Sequence, residues 1–122
     1  MGQKNILIAD DEQEFCSMAA NFFEERGYKA SCVNKGEDAI KKVKEEKFDI
    51  VLLDLRMPYF SGGFGIFREI KQVDPNIPII LITGCTPAEI QKPLEDINAD
   101  DVLYKPFKMD KLLKSIEKIL VK

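Results

Sequence analysis

No histidine occurs anywhere in the 122 residues. Its absence removes a histidine general acid or base, a Ser-His or Cys-His nucleophile pair, and imidazole metal ligands from this chain. Cysteine is scarce too: Cys16, Cys32 and Cys85 are odd in number and far apart, with no C-x-x-C pair. They indicate neither a zinc site nor a disulfide framework, and a reducing cytoplasm is the expected compartment. No apolar run approaches the roughly 20 residues needed to span a bilayer. Asp10 and Asp11 interrupt the apolar stretch near the start, so no signal peptide is expected. Gly2 follows Met1, but Ile6 stands where N-myristoylation requires Ser or Thr. Basic charge is also lacking: a net charge of −3 gives no electrostatic footprint for nucleic acid or an anionic membrane.

What remains is an ordinary globular composition, 45% apolar and 32% charged, sized for one domain (1–122) with one core. The chain is organised around FDIVLLDLRMP, Phe48 to Pro58. Asp49 to Leu53 is short and rich in Val, Leu and Ile, which suits a strand buried on both faces, with Asp54 at its end and Pro58 forbidding simple continuation. Alone, an aspartate at a strand end is an ordinary turn residue.

Further strands are expected at Asn5–Ala9, Lys29–Val33, Ile77–Thr83 and Asp101–Tyr104. Between and after them run helical patterns. Phe15, Met18, Ala19, Phe22 and Phe23 mark the first, closed by Gly27 as a left-handed cap. Ala39, Ile40 and Val43 mark the second, and Ile66, Phe67, Ile70 and Val73 the third. Thr86-Pro87-Ala88-Glu89 reads as a capping box opening a fourth helix, which Pro93 should kink or shorten and Asn98 should close in a left-handed conformation. Met109, Leu112, Leu113, Ile116 and Leu120 form the fifth. Tyr59 to Gly65 is expected to be a glycine-rich loop. Strand and helix thus alternate five times, which implies an α/β fold with a parallel sheet and helices on both faces.

In such a sheet the carboxyl ends of the strands share one edge, where ligands bind. That edge would carry Asp10, Asp11, Asp54, Thr83 and Lys105. Three carboxylates so close repel one another unless some protonate or a cation binds. Oxygen ligands without His or Cys point to Mg²⁺, which keeps waters and often binds phosphate. A carboxylate facing a phosphate there can act as a nucleophile, with a lysine and a hydroxyl to hold the phosphoryl oxygens.

The pieces ILIADDE, DIVLLDLRMP, PIILITG and LYKPF, in this order, resemble the receiver domain of two-component response regulators from end to end. The resemblance implies a flavodoxin-like five-stranded sheet in the order 2-1-3-4-5. It implies Asp54 as phospho-acceptor and Asp10 and Asp11 as the acidic pair, Asp11 binding Mg²⁺ directly and Asp10 through water. The backbone carbonyl of Arg56 would complete the metal ligands. Thr83 and Lys105 would bind the phosphoryl group, with a cis Lys105-Pro106 bond. The phosphoryl group would come from a sensor histidine kinase or a phosphotransfer protein. The output would be a protein partner docked on the face of the fourth helix, fifth strand and fifth helix, with homodimer formation on activation as an option and no direct nucleic-acid or membrane binding. Arg56 and Cys85 occupy positions that tune phosphoryl lifetime in the family.

Three features depart from the pattern. Val102 stands where the family's signalling aromatic is expected, with Tyr104 next to Lys105 instead. The loop after Asp54 is about one residue longer than is usual in the family. Pro93 interrupts the fourth helix. Competing readings are a receiver that only binds partners, an Asp-nucleophile phosphatase, and a flavodoxin. The phosphatase wants Asp-x-Asp, but Leu55-Arg56 follow Asp54. The flavodoxin needs a phosphate loop where Asp10-Asp11-Glu12 would repel one. With no effector domain after the fifth helix, a stand-alone regulator and a piece of a longer protein are both open.

Overall fold

The computed structural model describes residues 2–57 and 62–121. Ten elements alternate: β1 (Asn5–Ala9), α1 (Gln13–Glu24), β2 (Lys29–Val33), α2 (Gly36–Glu45), β3 (Ile50–Asp54), α3 (Gly62–Val73), β4 (Ile79–Thr83), α4 (Pro87–Leu94), β5 (Asp101–Tyr104) and α5 (Met109–Leu120). The strands form one parallel sheet in the order β2-β1-β3-β4-β5. The expected fold class and strand order are therefore those of the molecule.

Period-two alternation sorts the strand side chains onto two faces. Leu7, Ala9, Val51, Leu53, Ile79 and Leu81 pack with Ala39, Ile40 and Val43 of α2 and Ile66, Phe67 and Ile70 of α3. Ile6, Ile8, Ile50, Leu52, Ile80 and Ile82 pack on the other side with Cys16, Ala19 and Phe23 of α1 and Leu112 and Ile116 of α5. All five residues of β3 and of β4 are buried, which is why they read as unbroken apolar runs.

Helix α1 ends as its sequence suggested. The Gly27 N–H donates to the Glu24 carbonyl and the Tyr28 N–H to the Phe23 carbonyl, with Gly27 at φ +91°. That pair of bonds satisfies the last carbonyls of the helix and needs the left-handed residue. Helix α4 opens with the expected capping box between Thr86 and Glu89 and stops at Leu94, one residue past Pro93. Pro93 has no N–H for the Glu89 carbonyl, so the helix is short.

Three expectations need correction. The glycine-rich segment is not a loop throughout: Gly62–Gly65 form the first turn of α3. The reason is tertiary, because a Cβ on Gly63 would fall 2.4 Å from the Leu55 carbonyl oxygen. Only glycine lets α3 approach the backbone that leaves β3 this closely. Pro58 and Tyr59–Ser61 lie outside the described residues. Asn98 is not left-handed, since among the described residues no non-glycine has positive φ. Strands β3 and β4 begin one and two residues later than expected. Asp49 uses its side chain to accept the Asn5 N–H, and the Ile77 N–H closes a turn onto the Asp74 carbonyl.

Candidate functional site

Three strands end by the same local device. The Asp10 Oδ1 accepts the Glu12 N–H at 2.9 Å, the Asp54 Oδ1 accepts the Arg56 N–H at 2.9 Å, and the Thr83 Oγ1 accepts the Cys85 N–H at 3.0 Å. Each side chain caps a tight turn two residues on, as short polar side chains do. For the aspartates, the turn uses one oxygen and leaves the other for chemistry. Register does the rest: Ala9 pairs with Leu53 and Asp54 with Ile82, so Asp10 and Asp54 leave neighbouring strands side by side.

Carboxylate oxygens of Asp10, Asp11 and Asp54 all lie within 4.8 Å of one another. Asp10 and Asp54 are buried, at 0% and 3% exposure, whereas Asp11 is exposed. Lys105 arrives from the end of β5 and its Nζ donates to Asp10 Oδ2 at 2.7 Å and to Glu12 Oε1 at 3.0 Å; Asp54 Oδ2 lies 3.6 Å away. Lys105 also sits over the Phe15 ring at 4.7 Å, and Phe15 meets Phe107 edge-on. The Lys105-Pro106 bond is cis, as the resemblance implied.

Asp11, Glu12, Asp54, Arg56, Gly84 and Lys105 line an open hollow of about 310 Å³. Asp10 lies beneath it. Thr83 is wholly buried and is not among the described residues lining the hollow; Gly84 takes that place. Val102 is half-buried and packs against the α2–α3 core, while Tyr104 is half-buried at the strand end.

The electrostatics follow from this crowding. Burial pushes the Asp54 carboxyl up to about 6; the Arg56 N–H and Lys105 pull it down, and the charges of Asp10 and Asp11 push it up. Burial alone would lower Lys105, but the Asp10 and Glu12 hydrogen bonds and the Asp54 charge outweigh it and leave the ammonium raised. Arg56 is raised chiefly by the neighbouring Cys85 side chain.

Several contributors were not singled out from the sequence. Glu12 shares Lys105 with Asp10, and its place beside Asp11 was the available signal. Phe15 read as a core helix position and is also the surface beneath the ammonium. Asn34 donates from Nδ2 to the Asp10 carbonyl at 2.8 Å, and only the β1–β2 pairing reveals it.

A chain with this topology and this edge is a receiver module. A family model described as the response regulator receiver domain matches residues 6–117, and the chain belongs to that family of two-component regulatory domains. It is 34% identical over 119 residues to the transcriptional regulatory protein ZraR of Salmonella typhimurium, a match covering 98% of this chain and 27% of that protein. The chain thus spans about a quarter of the length of such curated relatives. Its fold superposes on a CheY-like receiver domain protein from Methanospirillum hungatei with a TM-score of 0.91 at 24% identity, over 98% of this chain and 94% of that one. A response regulator from Burkholderia pseudomallei, solved with a phosphorylated aspartic acid, a calcium ion and citrate, matches at 27% identity and TM-score 0.81, over 93% of this chain and 66% of that one.

Proposed function

We propose that this chain is a phosphorylation-controlled switch in which Asp54 accepts a phosphoryl group from a phosphohistidine on a sensor kinase or phosphotransfer protein. The observation that carries the reading is the convergence of Asp10, Asp11 and Asp54 within 4.8 Å, beside a lysine 95 residues from Asp10 in sequence. Three carboxylates at that separation, one of them raised to about 6, form a donor set short of positive charge. A hard divalent cation fits it, and Mg²⁺ would be held by Asp11, Asp54 and the Arg56 carbonyl, with Asp10 acting through water. Bound there, Mg²⁺ supplies positive charge for the phosphoryl oxygens.

Asp54 presents Oδ2 as nucleophile while Oδ1 stays in its turn with the Arg56 N–H. The Oδ2–P bond forms as the P–N bond to the donor imidazole breaks, and the imidazole leaves with the electron pair. Lys105 releases a carboxylate and takes a phosphoryl oxygen. Thr83 reaches the phosphoryl group only by turning its hydroxyl out of the bond from the Cys85 N–H, a movement that links phosphorylation to the start of α4. Hydrolysis would reverse the state, with Arg56 and Cys85 setting its lifetime.

The whole chain, 1–122, acts as one regulatory domain in the cytoplasm. The output face is α4, β5 and α5, where a protein partner or a second copy would dock on activation. The Burkholderia structure with its phosphorylated aspartic acid supports the chemistry by analogy. Val102 favours one second reading, a receiver that binds partners without phosphorylation, since that position holds no aromatic to move with Thr83.

Intact-mass analysis after treatment with a small phosphodonor and Mg²⁺ separates the two. One added phosphoryl group is expected, absent in Asp54→Asn and reduced in Asp11→Asn. No adduct under any condition rejects the switch and favours the partner-only receiver.

A further inference from the structure

Cys16 and Cys32, sixteen residues apart, meet on the α1 side of the sheet. Cys16 lies in the first turns of α1, is wholly buried, and points its thiol at the Ile8 carbonyl, 3.7 Å away. Cys32 pairs in register with Ile8 across β1 and β2, and its thiol donates to the Cys16 carbonyl at 3.0 Å. Both side chains belong to one hydrophobic cluster. Each thiol lies close enough to perturb the other: the neighbouring Cys32 and burial raise Cys16, and the neighbouring Cys16 lowers Cys32. Cys32 is half-buried, on the edge strand of the sheet. Cys85 lies elsewhere, beside Arg56.

The groups next to this pair hold the acidic hollow. One residue after Cys32, the Val33 carbonyl accepts the Asp10 N–H at 3.1 Å, and Asn34 holds the Asp10 carbonyl. The Cys16 N–H donates to the Glu12 carbonyl at 3.1 Å. Both sulfurs therefore hang from the segments that set Asp10 and Glu12.

We propose that Cys16 and Cys32 are a redox-sensitive dithiol that hydrogen peroxide closes into a disulfide, and that closing it changes the cation affinity of the acidic hollow. The coupling half rests on the Mg²⁺ reading above. The Cys32 thiolate attacks one peroxide oxygen, the O–O bond breaks, and the departing hydroxide takes a proton to leave as water. Cys32 is now a sulfenic acid. The Cys16 sulfur gives an electron pair to the Cys32 sulfur, the S–S bond forms, the S–O bond breaks, and the Cys16 proton leaves with the hydroxyl as a second water. Two thiols are oxidised and one peroxide is reduced. A covalent tie between α1 and β2 then alters both supports of Asp10.

The test uses the full chain. Peroxide-treated protein is alkylated under denaturing conditions, digested and mapped, and Mg²⁺ binding is measured by calorimetry before and after oxidation. The expected product is monomeric, about 2 Da lighter, carries a Cys16–Cys32 linked peptide and reverts with dithiothreitol. Its Mg²⁺ dissociation constant should shift at least about fivefold, with no such shift in peroxide-treated Cys32→Ser. Cys16 and Cys32 both alkylated after peroxide, or links only to Cys85 or between chains, would overturn the dithiol. The linked peptide with unchanged Mg²⁺ affinity would overturn the coupling. No Mg²⁺ binding by either form would instead overturn the metal reading, with the cross-link decided separately by the map. That map uses the unaltered chain, so it stands even if Cys32→Ser misfolds.

Discussion

The centre of the sheet and its β5 edge differ in how firmly they are held. On one side, α3 buries Gly63, Gly65, Ile66, Phe67 and Ile70, and every residue of β3 beneath it is inaccessible. On the other, α4 buries only Ile90, carries an internal proline and lasts eight residues, while β5 buries only Leu103 of its four. Few buried apolar contacts mean a low free energy for local opening. The contrast teaches a division of labour: β1 and β3 hold Asp10 and Asp54 still, and α4 and β5 are the part light enough to move.

Matched truncations give the largest effect. Ile66→Ala in α3 should cost about 4 kcal/mol and Ile90→Ala in α4 about 2 kcal/mol, because the looser site collapses more readily. Urea unfolding of both variants checks this, and the reverse order would break the contrast.

The chemical side also carries a built-in penalty. The folded protein binds the Asp54 proton more tightly than the unfolded chain does, the carboxyl being raised to about 6. Stability from this group is therefore present below about pH 4, is lost as pH rises through about 6, and costs up to about 3 kcal/mol above that. In EDTA, Asp54→Asn should raise the Tm at pH 7.5, and the gain should vanish near pH 4. Thermal denaturation across that range is the measurement, and a pH-independent gain would point to packing instead. Mg²⁺ should raise the Tm of the parent chain and not of Asp54→Asn.

Gly63→Ala should cost about 1–3 kcal/mol, since its Cβ meets the Leu55 backbone at 2.4–2.8 Å and α3 must shift. A neutral result by chemical denaturation would deny the close approach. Smallest is Thr86→Ala, which removes the capping box and should cost about 1 kcal/mol. Hydrogen exchange should then quicken across 87–94 and stay unchanged across 50–54.

The sheet was legible because buried parallel strands write themselves as runs such as IVLLD and IILIT. The site was legible because β1, β3 and β4 lead into Asp10, Asp54 and Thr83, short polar residues that turn the chain and carry oxygens able to meet a ligand. What escaped were facts of tertiary approach. Glycine at 63 looks like a loop residue until Leu55 lies against it. Asn98 looks like a helix cap, but α4 has already ended at Leu94. Cys16 and Cys32 form no sequence motif, and parallel register at Ile8 brings them together.

The rim sets four acids against two cations, the Lys105 ammonium gripped by Asp10 and Glu12 and the Arg56 guanidinium. Without a bound divalent cation, a freely diffusing phosphate dianion therefore approaches against a repulsive field. At limiting Mg²⁺, added inert salt should screen that field and speed labelling by small anionic donors, the opposite of electrostatically steered encounter. On the proposed function, a protein donor that presents its phosphorylated imidazole with a basic surround would meet no such barrier, and discrimination against small metabolites would begin before any contact is made.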